Sequence, residues 1–308
     1  MGGNKAVTLA GFAGGLFPDT AVTALGREIA DVGFRELAAN DLIFGCVDND
    51  LARLEIAYIS TQLNVPVVDG GLRTSDYSRG RVSYFPGRDG ACFSCRLTQQ
   101  RRRELLTIWE AASRPCWLEM RDLERRSYPS TPMMAAVIGA MQVELGLRRL
   151  LAPDKSRESP ATTVEIALDP VQQTDAFRMT VSQTCPFHAP PPPRFAARGS
   201  LSSTTVGSLL DQVRTGGGGP GSAKLVLDWP ICTSARCAEC GYRWSPMIRL
   251  AALRKSAACP ACSSRQFIED EVIRTVERKS RWADSTLGEL GLPEGHLHLI
   301  ELKTEPLT

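Results

Sequence analysis

A chain of 308 residues, 43 % of them apolar, is long enough for about two domains and has the material for real cores. Its 36 Lys and Arg against 34 Asp and Glu leave a net charge of +2, which argues neither for nor against a nucleic-acid partner. No stretch reaches the roughly 18 apolar residues of a membrane span, so no membrane association is expected and the cytoplasm is the default location.

In chain order, "VTLAGFAGGLF" (7–17) is short and glycine-rich with no cleavage site after it, and Ala6 stands where a myristoylation signal needs Ser or Thr. "DLIFGCV" (41–47) has the near-continuous apolarity of a strand buried on both faces, which would put Cys46 in the core. Residues 50–63 carry Leu51, Leu54, Ala57, Tyr58 and Leu63 at helical spacing, with Asn49 or Asp50 as N-cap. "VPVVDGG" (65–71) and "RVSYFPG" (81–87) read as two further strands, and strand–helix–strand order predicts a parallel α/β sheet. The arginine run "RLTQQRRRELL" (96–106) is interleaved with Gln99 and Glu104 on a helical pattern, so it predicts a solvated face rather than a nucleic-acid patch. Residues 133–152 form a long helix, apolar on most sides and expected to be buried, and "TTVEIAL" (162–168) and "AFRMTVS" (176–182) form a late strand pair. Four consecutive prolines in "HAPPPPRFAARGS" (188–200) exclude helix and sheet interior, and "RTGGGGPGSA" (214–223) is a flexible stretch. The boundaries that follow are 1–190, a Pro/Gly-rich linker region 191–223, and a C-terminal module 224–308.

Ten cysteines carry the strongest chemical signal. In a reducing compartment CxxC pairs are metal ligands more often than disulfides. Cys237 and Cys240 of "CAEC" and Cys259 and Cys262 of "CPAC" are separated by 18 residues, within the zinc-ribbon range, and Gly241 follows where a knuckle needs positive φ. Cys232 is a spare. Cys92 and Cys95 of "CFSC" offer two thiolates on a tight turn, and "CPFH" supplies Cys185 and His188 at the same spacing. Two structural Zn²⁺ per chain are expected; the alternative at the CxxC…CxxH set is a group of reduced, packed cysteines.

Asp48 stands where a buried strand hands over to a helix. At the carboxyl end of a strand in a doubly wound sheet, a carboxylate can hold Mg²⁺ against phosphate oxygens while the helix N-terminus favours anions. The alternative is that Asp48, Asn49 and Asp50 only cap that helix.

Taken together, "GNKA", "DLIFGCVDNDLARLEI", "VPVVDGGL", "GRVSYFPGRDGACFSC", "YPSTPMMAAVIGAMQVELGLRRL" and "CPFH" resemble, over roughly residues 3 to 190, the ThiF/MoeB-type adenylyltransferases related to ubiquitin-activating enzymes. The resemblance implies a Rossmann-like α/β domain that binds ATP and Mg²⁺ and adenylates the C-terminus of a ubiquitin-like or sulfur-carrier protein, commonly as a homodimer. It implies that Asp48 contacts Mg²⁺ and ATP, that Lys5 reaches the phosphates, and that Asn49 and Arg53 belong to the same cofactor-binding motif. It also gives "CFSC" and the late "CPFH" a shared structural zinc. Cys116, in the interval before the 133–152 helix, matches the family's thioester-forming nucleophile, with Arg114, Arg121, Arg125 and Arg126 nearby to favour thiolate. An inert half-buried cysteine beside Trp117 is the alternative.

The family ordinarily opens with a strand, a glycine-rich turn and a helix ahead of the lysine. "GFAGG" (11–15) does not replace that turn, because no buried strand precedes it. The expectation is an N-terminally truncated or degenerate domain that binds ATP weakly or not at all by itself, and the rival function is a non-catalytic scaffold that binds a carrier protein.

Overall fold

The computed structural model describes residues 3–29, 32–73, 78–111, 131–151, 160–168, 172–189, 198–215, 222–292 and 299–303. The first half is built on a five-stranded sheet of order β1–β2–β3–β4–β5, made of β1 (Ile43–Gly45), β2 (Val67–Leu72), β3 (Arg79–Phe85), β4 (Thr162–Ala167) and β5 (Gln173–Arg178). Helix α1 (Lys5–Leu16) and the short α2 (Phe34–Ala38) precede the sheet, and α3 (Asp50–Leu63) connects β1 to β2 as a parallel crossover. The next three pairs, β2–β3, β3–β4 and β4–β5, are antiparallel, which makes this a mixed α/β sheet.

Local chemistry explains the crossover. Asn49 caps α3, its Oδ1 accepting from Ala52 N at 2.8 Å, and Asn64 ends the helix in the left-handed region at φ 58°. Leu54, Ile56, Ala57 and Ile59 of α3 are buried. Leu54, Ile56 and Ala57 join Val67, Phe85, Cys92 and Phe187 in a core where each large side chain is worth about 1.5–3 kcal/mol of burial.

The opposite face of the sheet is covered by a later helix. After α4 (Phe93–Arg96) and α5 (Gln99–Ala111) comes α6 (Pro132–Leu151), which buries Met134, Ile138, Gln142 and Gly146 at a spacing of four against Val68, Val82, Tyr84 and Ile166. The expectation of burial on most sides is corrected here: Met133 is 68 % and Leu151 82 % exposed, because one sheet face meets only one helical stripe. Gln142 is a polar lock within that stripe, donating from Nε2 to Gly45 O and Val68 O at 3.1 Å each. Gly70 leaves room for it, since a Cβ there would lie 2.2 Å from Gln142 Oε1 and would displace the lock.

Three further expectations are corrected. The strand read as 41–47 and buried on both faces is only three residues long, and Phe44 is 43 % exposed, because β1 has one neighbour, β2, among the described residues. Cys46 lies past the end of that strand and is exposed, not core. The late strand read as 176–182 runs from Gln173 to Arg178 instead, the residues after it being drawn into a cysteine-bearing loop.

The C-terminal half is an antiparallel sheet around the 16-residue β6 (Ser222–Cys237), which pairs with β7 (Arg243–Trp244), β8 (Ile248–Arg249), β9 (Phe267–Glu277) and β10 (Leu299–Lys303). Its pairing with β9 breaks register between Val226 and Ile231, around Pro230, which has no N–H to give the ladder. Helix α8 (Leu250–Ser256) packs Leu250 and Leu253 on Cys232 and Ala235. Inside the span read as linker lies an unforeseen helix, α7 (Val206–Val213), whose Val206, Leu209 and Leu210 are buried with Leu225 and Ile231 of β6.

Candidate functional site

The loop from β1 to α3 presents Asp48. Asn49 takes the capping position, and its Nδ2 donates to Asp48 Oδ1 at 3.1 Å, so the Asp48 carboxylate is held in place yet left exposed to solvent. Asp50 is turned aside to Arg101 Nη2 at 3.0 Å. The N-terminus of α3 beside this carboxylate adds a field that favours further negative charge.

Arg53 fixes the floor of that loop. It is 8 % exposed and donates from Nε to Asp69 Oδ1 and Oδ2 at 3.1 and 3.2 Å and from Nη2 to Val47 O and Gly70 O at 2.5 and 3.0 Å. One guanidinium thereby ties Val47, just past the end of β1 and next to Asp48, to the middle of β2. Burial outweighs the attraction of Arg53 and Arg81 and holds the Asp69 carboxyl above its ordinary range. Lys5 lies exposed in the first turn of α1, which Asn4 caps.

At the same core, Cys92, Cys95, Cys185 and His188 bring their ligand atoms within 4.8 Å of one another. Cys92 Sγ is 3.9 Å from Cys95 Sγ and 3.7 Å from Cys185 Sγ. A tetrahedral ion with Zn–S bonds of about 2.3 Å needs sulfurs about 3.8 Å apart, so the spacing fits zinc and is far too long for a disulfide. The histidine gives independent support. Its Nδ1 donates to Arg88 O at 3.1 Å, which leaves the Nε2 lone pair facing inward, buried and without a hydrogen-bond partner. A ring N–H fixed by a carbonyl, with the other nitrogen aimed at the ion, is the usual arrangement of a metal-bound histidine. Hydrogen bonds from Cys92 and Cys95 hold the Cys185 thiol down to about 2, while the bond to Cys185, then that to Cys95 and burial, push Cys92 up. A divalent cation held by Cys92, Cys95 and Cys185 would remove that competition by favouring all three as thiolates.

The second cluster, Cys237, Cys240, Cys259 and Cys262, has sulfurs 3.5 Å apart for Cys237–Cys262 and 3.6 Å for Cys240–Cys259. Two matching knuckles build it. Gly241 at φ 72° lets its N–H bond Cys237 O at 3.2 Å, and Ser263 at φ 58° does the same with Cys259 O at 2.8 Å. Backbone N–H groups of Cys240 and Ala261 point at Cys237 Sγ and Cys259 Sγ at 3.5 and 3.4 Å, which stabilises thiolates for a cation. Cys232 is outside this group, fully buried, with its thiol pushed up to about 11 by burial.

Cys116 and its neighbouring arginines lie outside the described residues. Sequence reasoning missed Arg102. Read as part of a solvated face, it is 4 % exposed and donates to Ser94 O, Leu97 O, Ser182 Oγ and Thr184 Oγ1. It therefore ties the "CFSC" turn to the segment leading into "CPFH", which corrects the solvated reading for that one residue.

The family model described as the ThiF family matches residues 1–190, more than half of the chain. No curated protein matches it. Among solved structures, E. coli MccB with selenomethionine MccA is similar at 12 % identity and a TM-score of 0.42, over 61 % of this chain and 51 % of that one. E. coli MccB is similar at 13 % identity and a TM-score of 0.41, over 64 % of this chain and 54 % of that one. The chain spans about half the length of these MccB structures.

Proposed function

The chain belongs to the ThiF family by the match over residues 1–190, and on that premise we propose that it is an activating-enzyme-like adenylyltransferase acting on the C-terminal carboxylate of a small ubiquitin-like or sulfur-carrier protein. The observation that carries this reading is Asp48: a carboxylate at the carboxyl end of the parallel β1–β2 pair, exposed, fixed by Asn49 and not consumed as a helix cap. Its oxygen donors suit Mg²⁺, and the exposed Lys5 suits phosphate oxygens. ATP bound with Mg²⁺ would supply the adenylyl group. Asn49 keeps the Asp48 carboxylate in place, and Arg53 serves as the brace behind it rather than as a ligand, since its Nε and Nη2 are occupied inside the protein. The domain reading is 1–190 for this activity, with a zinc ribbon in 224–308 and zinc at both cysteine clusters. Capture of the acyl group on Cys116 and homodimer formation belong to the same proposal.

A second reading is favoured by one observation. "GFAGG" (11–15) is helical, inside α1, so it is no phosphate-cradling turn, and the chain could bind a carrier as a scaffold without adenylating it. Incubation with ATP, Mg²⁺ and a peptide ending in Gly-Gly, followed by trapping with hydroxylamine, separates the two. A peptide hydroxamate formed only with ATP supports the enzyme, and with Cys116→Ser the hydroxamate should persist while any thioester disappears. Peptide binding without hydroxamate selects the scaffold.

A further inference from the structure

The two cysteine clusters differ in the residues that stand between their ligands. "CFSC" places Phe93 and Ser94 in its turn, and "CPFH" places Phe187. All three are buried, and the two rings belong to the same core as Leu54 and Val67, with Phe187 5.6 Å from the Tyr58 ring. These plugs draw the ligands inward, so that Cys92 and Cys185 are buried and Cys95 is half-buried. "CAEC" and "CPAC" carry Ala238, Glu239, Pro260 and Ala261 at the corresponding places, and all four are exposed. Small and polar residues give a core little to hold, and these knuckle tips stay in solvent. Cys237 and Cys259 are each 2 % exposed, but Cys240 and Cys262 are open to water. One cluster is sealed into a core, and the other shows two of its four sulfurs.

We infer that the Cys237, Cys240, Cys259 and Cys262 cluster is a redox-sensitive zinc switch, opened by a peroxide at Cys240 or Cys262, while the Cys92 cluster keeps its ion. The inference rests on the zinc reading of both clusters. Oxidation of a cysteine needs an accessible thiolate, and coordination to a cation keeps these sulfurs deprotonated. The Cys240 sulfur attacks one peroxide oxygen, the O–O bond breaks, and hydroxide leaves as Cys240 becomes a sulfenic acid. The Cys259 thiolate, 3.6 Å away, then attacks the Cys240 sulfur. A disulfide forms and a second hydroxide leaves. Two thiolates have thereby given up two electrons to the peroxide, whose oxygens end as hydroxide and take protons from solvent. Cys262 has Cys237 at 3.5 Å for the same sequence. With two sulfurs tied up in the disulfide, the remaining pair no longer holds zinc tightly. The change stays at one end of the sheet. Cys237 is the last residue of β6, whereas Leu225, Ile231 and Val276 join β6 to β9 in a core of their own.

Zinc is counted first in the purified full chain. Close to two equivalents are expected, and a zinc-free protein overturns the metal reading and this inference with it. Hydrogen peroxide is then added with a chromogenic zinc chelator present, against a peroxide-free control, while differential alkylation and peptide mass spectrometry follow each cysteine. One equivalent should leave about tenfold faster than the other, together with a disulfide among Cys237, Cys240, Cys259 and Cys262, because oxidation follows exposure. Cys92, Cys95 and Cys185 should stay reduced until that first release is complete. A thiol reductant with added zinc should restore the lost equivalent. Two release rates that differ by less than about threefold overturn the inference while the zinc reading stands, since exposure would then not govern the reaction. Oxidation of Cys92, Cys95 or Cys185 ahead of Cys240 and Cys262 does the same, as does zinc release without a disulfide in the C-terminal group.

Discussion

Arg53 and Asp69 show how much of the site rests on residues that touch no ligand. Both side chains are buried, and their pairing at 3.1 Å is supplemented by two carbonyls that accept from Arg53. Removing one partner strands a charge in the interior, so Asp69→Ala should cost about 3–5 kcal/mol in urea unfolding, while an exposed pair such as Arg27–Glu36 should cost under about 1 kcal/mol. Equal costs would mean that the buried pair relaxes with water. At this scale the sequence was readable where a residue acts on near neighbours. Asn49 as a cap and Gly241 as a knuckle follow from local rules. Arg102 and Gln142 did not, because their acceptors lie up to 82 and 97 residues away and are chosen by the fold.

At the level of elements, the β1–α3–β2 crossover was legible from its apolar run, its cap and its helical period. What misled was composition without a partner. The 133–152 pattern is apolar on most sides, but a helix against a single sheet buries one stripe, and nothing local says how many faces will be covered. Helix α7 escaped notice because it is short and lies between proline and glycine runs, and its burial comes from β6. The cysteine clusters were legible as ligand spacing, and their geometry makes a separable prediction. Purified protein should carry close to two zinc equivalents. Cys237→Ser with Cys240→Ser should remove one, and Cys185→Ser should weaken the other, each read by metal analysis with thermal melting. A folded protein with no metal would contradict the assignment of both clusters.

Across the whole molecule, one sheet edge gathers the chemistry. Asp48 stands at the end of β1, Arg53 braces it from α3, and an arginine-lined cavity opens where β3 begins and β4 ends at the same edge, while Cys92, Cys95, Cys185 and His188 lie in the segments that follow β3 and β5. The C-terminal sheet with its own cysteine cluster is a second core built around β6. The central claim is that the exposed carboxylate at the end of β1 serves adenylyl transfer. ATP–pyrophosphate exchange driven by a peptide ending in Gly-Gly tests it most directly, comparing the full chain with Asp48→Ala at matched zinc content and melting temperature. Asp48 is exposed, so the substitution should leave the fold intact while exchange falls at least a hundredfold, about 2.7 kcal/mol of transition-state stabilisation. Exchange that persists unchanged in Asp48→Ala would contradict the account.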